Sequence, residues 1–111
     1  MNYKIILTDS FKSEAKKLIK RYASLSKELI VLEAQLQENP TKGTPLGNDV
    51  YKIRISIASK NKGKSGGARI ISYVKVIEAN VYLITIYNKG EKDFISDKEI
   101  DRLLKVKMFY K

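Results

Sequence analysis

The sequence predicts an α+β fold, with a two-helix hairpin, a four-stranded sheet and a final helix arranged in the order β-α-α-β-β-β-α. Three observations predict it. Phe11, Ala15, Leu18 and Tyr22, then Leu25, Leu29, Leu32 and Leu36, recur at helical spacing. Tyr51, Ile53, Ile55 and Ile57 alternate with Lys52, Arg54 and Ser56, the period of a half-buried strand. Residues 68–76 and 81–87 carry the β-branched and aromatic content of further strands.

Taken in order, residues 3–7 form a short strand, ended by Thr8-Asp9-Ser10, a cluster of helix-capping residues. The two apolar stripes that follow form a helical hairpin, with Ser24 or Ser26 able to cap its second helix. The outer faces carry Lys12, Lys16, Lys17, Lys20, Arg21 and Lys27, which read as ordinary solvated positions. Residues 39–48, with Pro40, Gly43, Pro45 and Gly47, read as a loop. Two strands follow, joined by a Gly- and Lys-rich hairpin loop over residues 60–67. On the second of them Arg69, Ile71, Tyr73 and Lys75 share one face. Residues 78–80 turn into a last strand over 81–87. Residues 88–93 form a charged loop, and Ser96 with Glu99 makes a capping box for a final helix containing Ile100, Leu103 and Leu104.

A chain of 111 residues, 43% hydrophobic and 31% charged, has room for one core, and residues 1–111 are expected to form a single domain. Cysteine and histidine are both absent. That excludes a disulfide framework, thiolate or imidazole metal ligands, and every Ser-His or Cys-His nucleophile. Proton transfer would fall to Lys, Arg, Tyr, Asp or Glu. The apolar run at the N-terminus is too short for a signal peptide, and no run approaches a membrane span. A cytoplasmic protein with no membrane partner is the expectation.

The net charge is +10, and residues 52–75 hold seven cations and no carboxylate. Ordinary solvated faces mix their signs, so a field of one sign points to a polyanionic partner, nucleic acid above all. Ala58-x4-Gly63-Lys64-Ser65 comes close to the phosphate-cradling loop of nucleoside triphosphatases. That loop must open a helix; Gly66-Gly67 and a strand pattern follow here, so this reading is rejected. The carboxylates Glu91, Asp93, Asp97, Glu99 and Asp101 are explained by the start of a helix, and neither metal nor cofactor is expected. Cations on a sheet suit phosphate chemistry on RNA, where the substrate's 2′-hydroxyl is the nucleophile and Arg or Lys stabilises the phosphorane. A lysine crowded by cations is pushed towards its neutral form and so towards proton transfer.

The runs Lys62-Gly-Lys64-Ser-Gly66-Gly67-Ala68-Arg69-Ile-Ile-x-Tyr73 and Ile86-Tyr87-x-Lys89-x-Glu91-Lys92 resemble the RelE/ParE toxin superfamily, and within it HigB-type toxins. The resemblance spans nearly the whole chain. It implies a two-helix hairpin packed on a small, twisted, mostly antiparallel four-stranded sheet. It also implies a ribosome-dependent endoribonuclease acting on mRNA, restrained by a cognate antitoxin that is commonly a helix-turn-helix DNA-binding protein. Carried over by position, Lys52 and Arg54 match paired cations on the first central strand, Arg69 the arginine on the scissile phosphate, and Lys89 a basic residue after the last strand. Phe94 stands near the expected place of the family's C-terminal tyrosine, which leaves Tyr73, Tyr87 and Tyr110 as substitutes. Lys60, Lys62, Lys64, Lys75 and Lys92 would contact RNA or ribosome. The alternatives from other classes are a ParE-like inhibitor that binds DNA gyrase and a non-catalytic RNA-binding protein.

Overall fold

The computed structural model describes residues 2–57, 67–90 and 95–109, with the side chains of the last helix described through Lys105. The elements are β1 (Lys4–Leu7), α1 (Asp9–Arg21), α2 (Leu25–Glu38), β2 (Thr44–Gly47), β3 (Val50–Ile55), β4 (Ala68–Lys75), β5 (Asn80–Asn88) and α3 (Asp97–Phe109). They build a five-stranded sheet in the order β1-β5-β4-β3-β2, in which only the β1–β5 pair is parallel.

The predicted class holds, and the strand count is corrected from four to five. The added strand, β2, falls in residues read as loop because Pro and Gly dominate them. Pro45 is tolerated there because β2 is the sheet's edge, fully exposed along its length. Asn48 and Asp49 both have positive φ (54° and 65°), the backbone of a two-residue hairpin turn into β3.

Helices α1 and α2 cover one face of the sheet and α3 the other, so the central strands β4 and β5 are buried on both sides. Phe11, Leu18, Leu25, Leu29, Leu32 and Leu36 meet Ile53, Ile70, Val74, Val81, Leu83 and Ile86 on the first face. On the second, Ile95, Ile100, Leu103 and Leu104 pack on Val50, Ile71, Tyr82, Ile84 and Tyr87. The helix starts follow the sequence. Thr8 accepts from the Phe11 N–H through its hydroxyl (3.2 Å), and Ser96 accepts from Glu99 N–H (3.1 Å). Ser24 occupies the cap position of α2 but makes no side-chain cap bond, and Ser26 instead donates to the Ala23 carbonyl (3.1 Å).

One irregularity positions the site. Ile71 pairs with Thr85 but Ser72 with Leu83, so Ile84 is an extra residue in β5. Strict alternation would put Val81, Leu83 and Tyr87 on one face. The bulge reverses the parity: Val81, Leu83 and Ile86 face the two-helix side, whereas Tyr82, Ile84 and Tyr87 face α3. Thr8 braces this point, since its hydroxyl lies 2.9 Å from the Leu83 carbonyl and 3.1 Å from that of Ile84, sharing its donor between them.

Candidate functional site

Antiparallel register lines up the chemistry across three strands. Arg54 on β3 lies opposite Arg69 on β4, which lies opposite Tyr87 on β5. Residues directly opposite each other share a face, so these three side chains form a transverse row on the α3 side. At about 4.8 Å per strand the row spans about 10 Å between the β3 and β5 backbones. Lys52, two residues before Arg54, stands in the next row with Ile71 and Thr85. Lys89 follows β5 and donates its backbone N–H to the Gly67 carbonyl (3.0 Å), one row beyond Tyr87.

Two like charges directly opposite each other are unfavourable in a sheet unless something fills the space between them. Arg69 is 4% exposed, held on one side by a guanidinium hydrogen bond to the Ala68 carbonyl (3.2 Å), while Arg54 is exposed. Burial, and then the Arg54 charge, pull the Arg69 pKa below its ordinary value, with the Tyr87 oxygen acting the other way. A guanidinium remains protonated at neutral pH even so. Tyr87 is 8% exposed, and burial raises its pKa above the usual phenol value. Arg69, Arg54 and the Ile95 backbone N–H oppose that shift without reversing it. The row thus sets an exposed guanidinium, Arg54, in line with a buried one, Arg69, and with the buried hydroxyl of a phenol that keeps its proton. The chemistry of these groups suits gripping a phosphoryl group and donating to one of its oxygens.

The raised phenol pKa has a consequence for stability. The neutral form is the one the fold favours, so this contribution is fully present below the unfolded value of about 10 and is lost as pH rises through the folded pKa. Alkaline unfolding should therefore be less pH-dependent in Tyr87→Phe than in the unmodified chain. Equal slopes above pH 10 would refute the shift.

Not every residue expected at the site reaches it. Tyr73 shares the face of Arg69 but stands four residues along β4, about 13 Å away at strand rise, where its ring lies 6.1 Å from that of Tyr82. Lys75 is further still and pairs with Glu78 (3.2 Å), which raises its pKa through that hydrogen bond. Lys60, Lys62, Lys64, Lys92, Phe94 and Tyr110 lie outside the described residues. No group of three or more His, Cys, Asp or Glu that could hold a metal ion occurs among the described residues. Nor does any helix among them have the length and apolarity to cross a membrane.

The row has a flank that the sequence did not announce. Beyond Arg54, at the β3 edge, a cleft of about 290 Å³ opens between α2 and the approach to β2, lined in part by Lys27, Val31, Lys42 and Ser56. Lys27 was read as one more solvated helix cation. Its place beside Arg54 depends on tertiary packing that spacing along α2 does not encode.

A family model for the RelE toxin of the RelE/RelB toxin–antitoxin system matches residues 3–111. The chain belongs to the RelE toxin family. Its fold is similar to a free-state mutant of the E. coli toxin RelE, with TM-score 0.60 and 16% identity over 95% of this chain and 97% of that one. It is equally similar to a chain of the RelBE2 toxin–antitoxin complex from Mycobacterium tuberculosis, with TM-score 0.60 and 16% identity over 79% and 92%. Within this RelE fold, the transverse row is made of β-strand residues, and strands hold side-chain geometry more tightly than loops do.

Proposed function

We propose that this RelE-family chain is an endoribonuclease that cuts mRNA on the ribosome, using Arg54, Arg69 and Tyr87 on the substrate phosphate. The observation that carries this reading is the transverse row, in which two guanidiniums and a protonated phenol stand in line on one face. In the reaction, the 2′-hydroxyl oxygen attacks the adjacent phosphorus and the bond from phosphorus to the 5′-oxygen breaks. The products are a 2′,3′-cyclic phosphate and a 5′-hydroxyl. Arg69 and Arg54 neutralise the charge that builds on the equatorial oxygens.

Two protons must move, from opposite sides of the phosphorus. Tyr87, at the β5 end of the row, holds its proton at neutral pH and is the donor to the leaving 5′-oxygen. The acceptor from the 2′-hydroxyl must then lie towards β3. Arg54 hardly gives up a proton, so Lys52 is the group there that can exchange one. Lys89 stands on the Tyr87 side and serves as a phosphate contact. A cognate antitoxin restrains the enzyme, a partner supported by the family and by the RelBE2 complex.

The deciding experiment is the chemistry of the cut ends in a translation extract, run beside a gyrase supercoiling assay. Cyclic phosphate and 5′-hydroxyl ends are expected, with supercoiling unaffected. Ends bearing 5′-phosphate would remove the 2′-hydroxyl mechanism, and inhibited gyrase with intact mRNA would move the chain to the ParE-like class. Association with RNA should also weaken as salt rises, with log K falling against log salt at a slope of about −0.7 per phosphate contact. A flat dependence would contradict an interface built on phosphate contacts.

A further inference from the structure

The cleft beyond Arg54 is built for more than solvent. Gly43 has φ +111°, and a Cβ there would lie 2.6 Å from the Lys52 carbonyl oxygen and 3.0 Å from the Ile53 side chain. Only glycine allows the chain to run this close to β3. With Thr44 opposite Lys52 in the antiparallel pair, the same register continued by two residues brings Lys42 level with Arg54. Arg54 therefore faces two ways, lying opposite Arg69 in the row and lining the cleft itself.

The cleft's walls differ in chemistry. Val31 is 56% exposed and with Ile55 gives an apolar wall. Lys27 and Lys42 add two cations, and Gln35 adds a donor and an acceptor. Glu28 accepts a hydrogen bond from the Ser56 hydroxyl (3.2 Å), which ties α2 to the end of β3 across the cleft floor. A volume of about 290 Å³ lies near the lower end for ligand pockets, about 300 Å³, and such sites combine apolar walls with a few polar groups. Apolar wall, amide and paired cations match the face, edge and phosphate of one nucleotide.

We propose that this cleft is an RNA subsite holding the nucleotide next to the scissile phosphate, with its base against Val31 and its phosphate on Lys27 and Lys42. The inference rests on the RNA-cleavage reading and deepens it. The row lies on the α3 face and the cleft on the two-helix face, so a polyanion lying along Arg69 and Arg54 reaches the cleft by turning round the β3 edge, where Arg54 borders both. Arg54 joins the two parts, so the subsite fixes the register of the strand before any bond breaks.

The test uses the full chain, mRNA-programmed ribosomes and two substitutions outside the row, Lys42→Glu and Val31→Asp, each checked for folding by thermal unfolding. Each should raise KM about tenfold, equivalent to about 1.4 kcal/mol, with kcat within about twofold, as expected for lost uniform binding. The mRNA is also made with an abasic residue at each position flanking the cut. At one position the missing base should raise the wild-type KM and cancel the Val31→Asp penalty, because two changes in one contact do not add. A penalty of the same size on every RNA would reduce the effect to general electrostatics and overturn the subsite. So would variants that cut like wild type, or variants that weaken antitoxin binding alone. If wild type cuts no RNA, the cleavage reading falls and takes the subsite with it; if only the variants are silent, the subsite alone falls.

Discussion

Arg69→Ala is expected to lower single-turnover mRNA cleavage by about 10²–10³-fold, the scale seen when one preorganised donor to a developing anion is removed. The geometry sharpens the expectation. Arg69 is the middle member of the row, buried, and flanked by Arg54 and Tyr87. Its loss removes the fork and also a charge that repels Arg54, so folding should survive with a melting temperature near that of wild type. Arg69→Lys separates charge from geometry, because an ammonium cannot offer the same planar pair of donors. It should recover only part of the rate. Antitoxin binding measured on the same variants guards against a misfolded reading. A variant that still arrests growth as wild type does would make Arg69 a structural residue.

Gly67→Ala should have the largest effect on stability. A Cβ at this position would overlap the Ile55 carbonyl oxygen and sit 2.9 Å from the Ser56 Cα, both backbone atoms that cannot rotate away. β3 and β4 would have to part at the end of the sheet that holds the row. Overpacking of this kind costs about 1–3 kcal/mol or more, which for a chain of this size lowers the melting temperature by roughly 10 °C. Because Gly67 also accepts the Lys89 N–H, activity should fall with stability. Thermal unfolding unchanged to within about a degree would mean that the strands separate there at little cost.

The two helices, the three main strands, and the facing of Lys52 and Arg54 within β3 and of Arg69 within β4 were legible from spacing; that these faces coincide came from the register. Alternation in β3 and β4 is regular over the residues concerned, so period two reports their facing correctly. β2 was hidden because an edge strand owes its place to register with β3 and to two positive-φ residues, Asn48 and Asp49, neither of them glycine. Tyr87 entered the sequence reading as one tyrosine among several. Its selection depends on the extra residue at Ile84, which no composition or spacing rule locates. Lys27 and Lys42 looked like solvent-facing charges because the cleft they line is assembled from α2, the approach to β2 and the end of β3. Tyr73 was placed on the right face, but distance along the strand separates it from the row.

The bulge at Ile84 divides β5 into two halves of opposite parity, and the division has an evolutionary consequence. Before it, odd-numbered residues belong to the two-helix core; after it, odd-numbered residues face α3 and the row. Loss of one residue at this point would leave strand order, pairing and hydrophobic content nearly intact. It would nevertheless turn Tyr87 towards the two-helix core and place Ile86 in the row on the α3 side. A single in-frame codon deletion could thus exchange the chemistry of the row for a greasy surface without changing the fold. Relatives of this chain that differ in length between the first and last residues of β5 should accordingly be compared by facing rather than by column. Two toxins of one architecture can place unrelated side chains on the same phosphate.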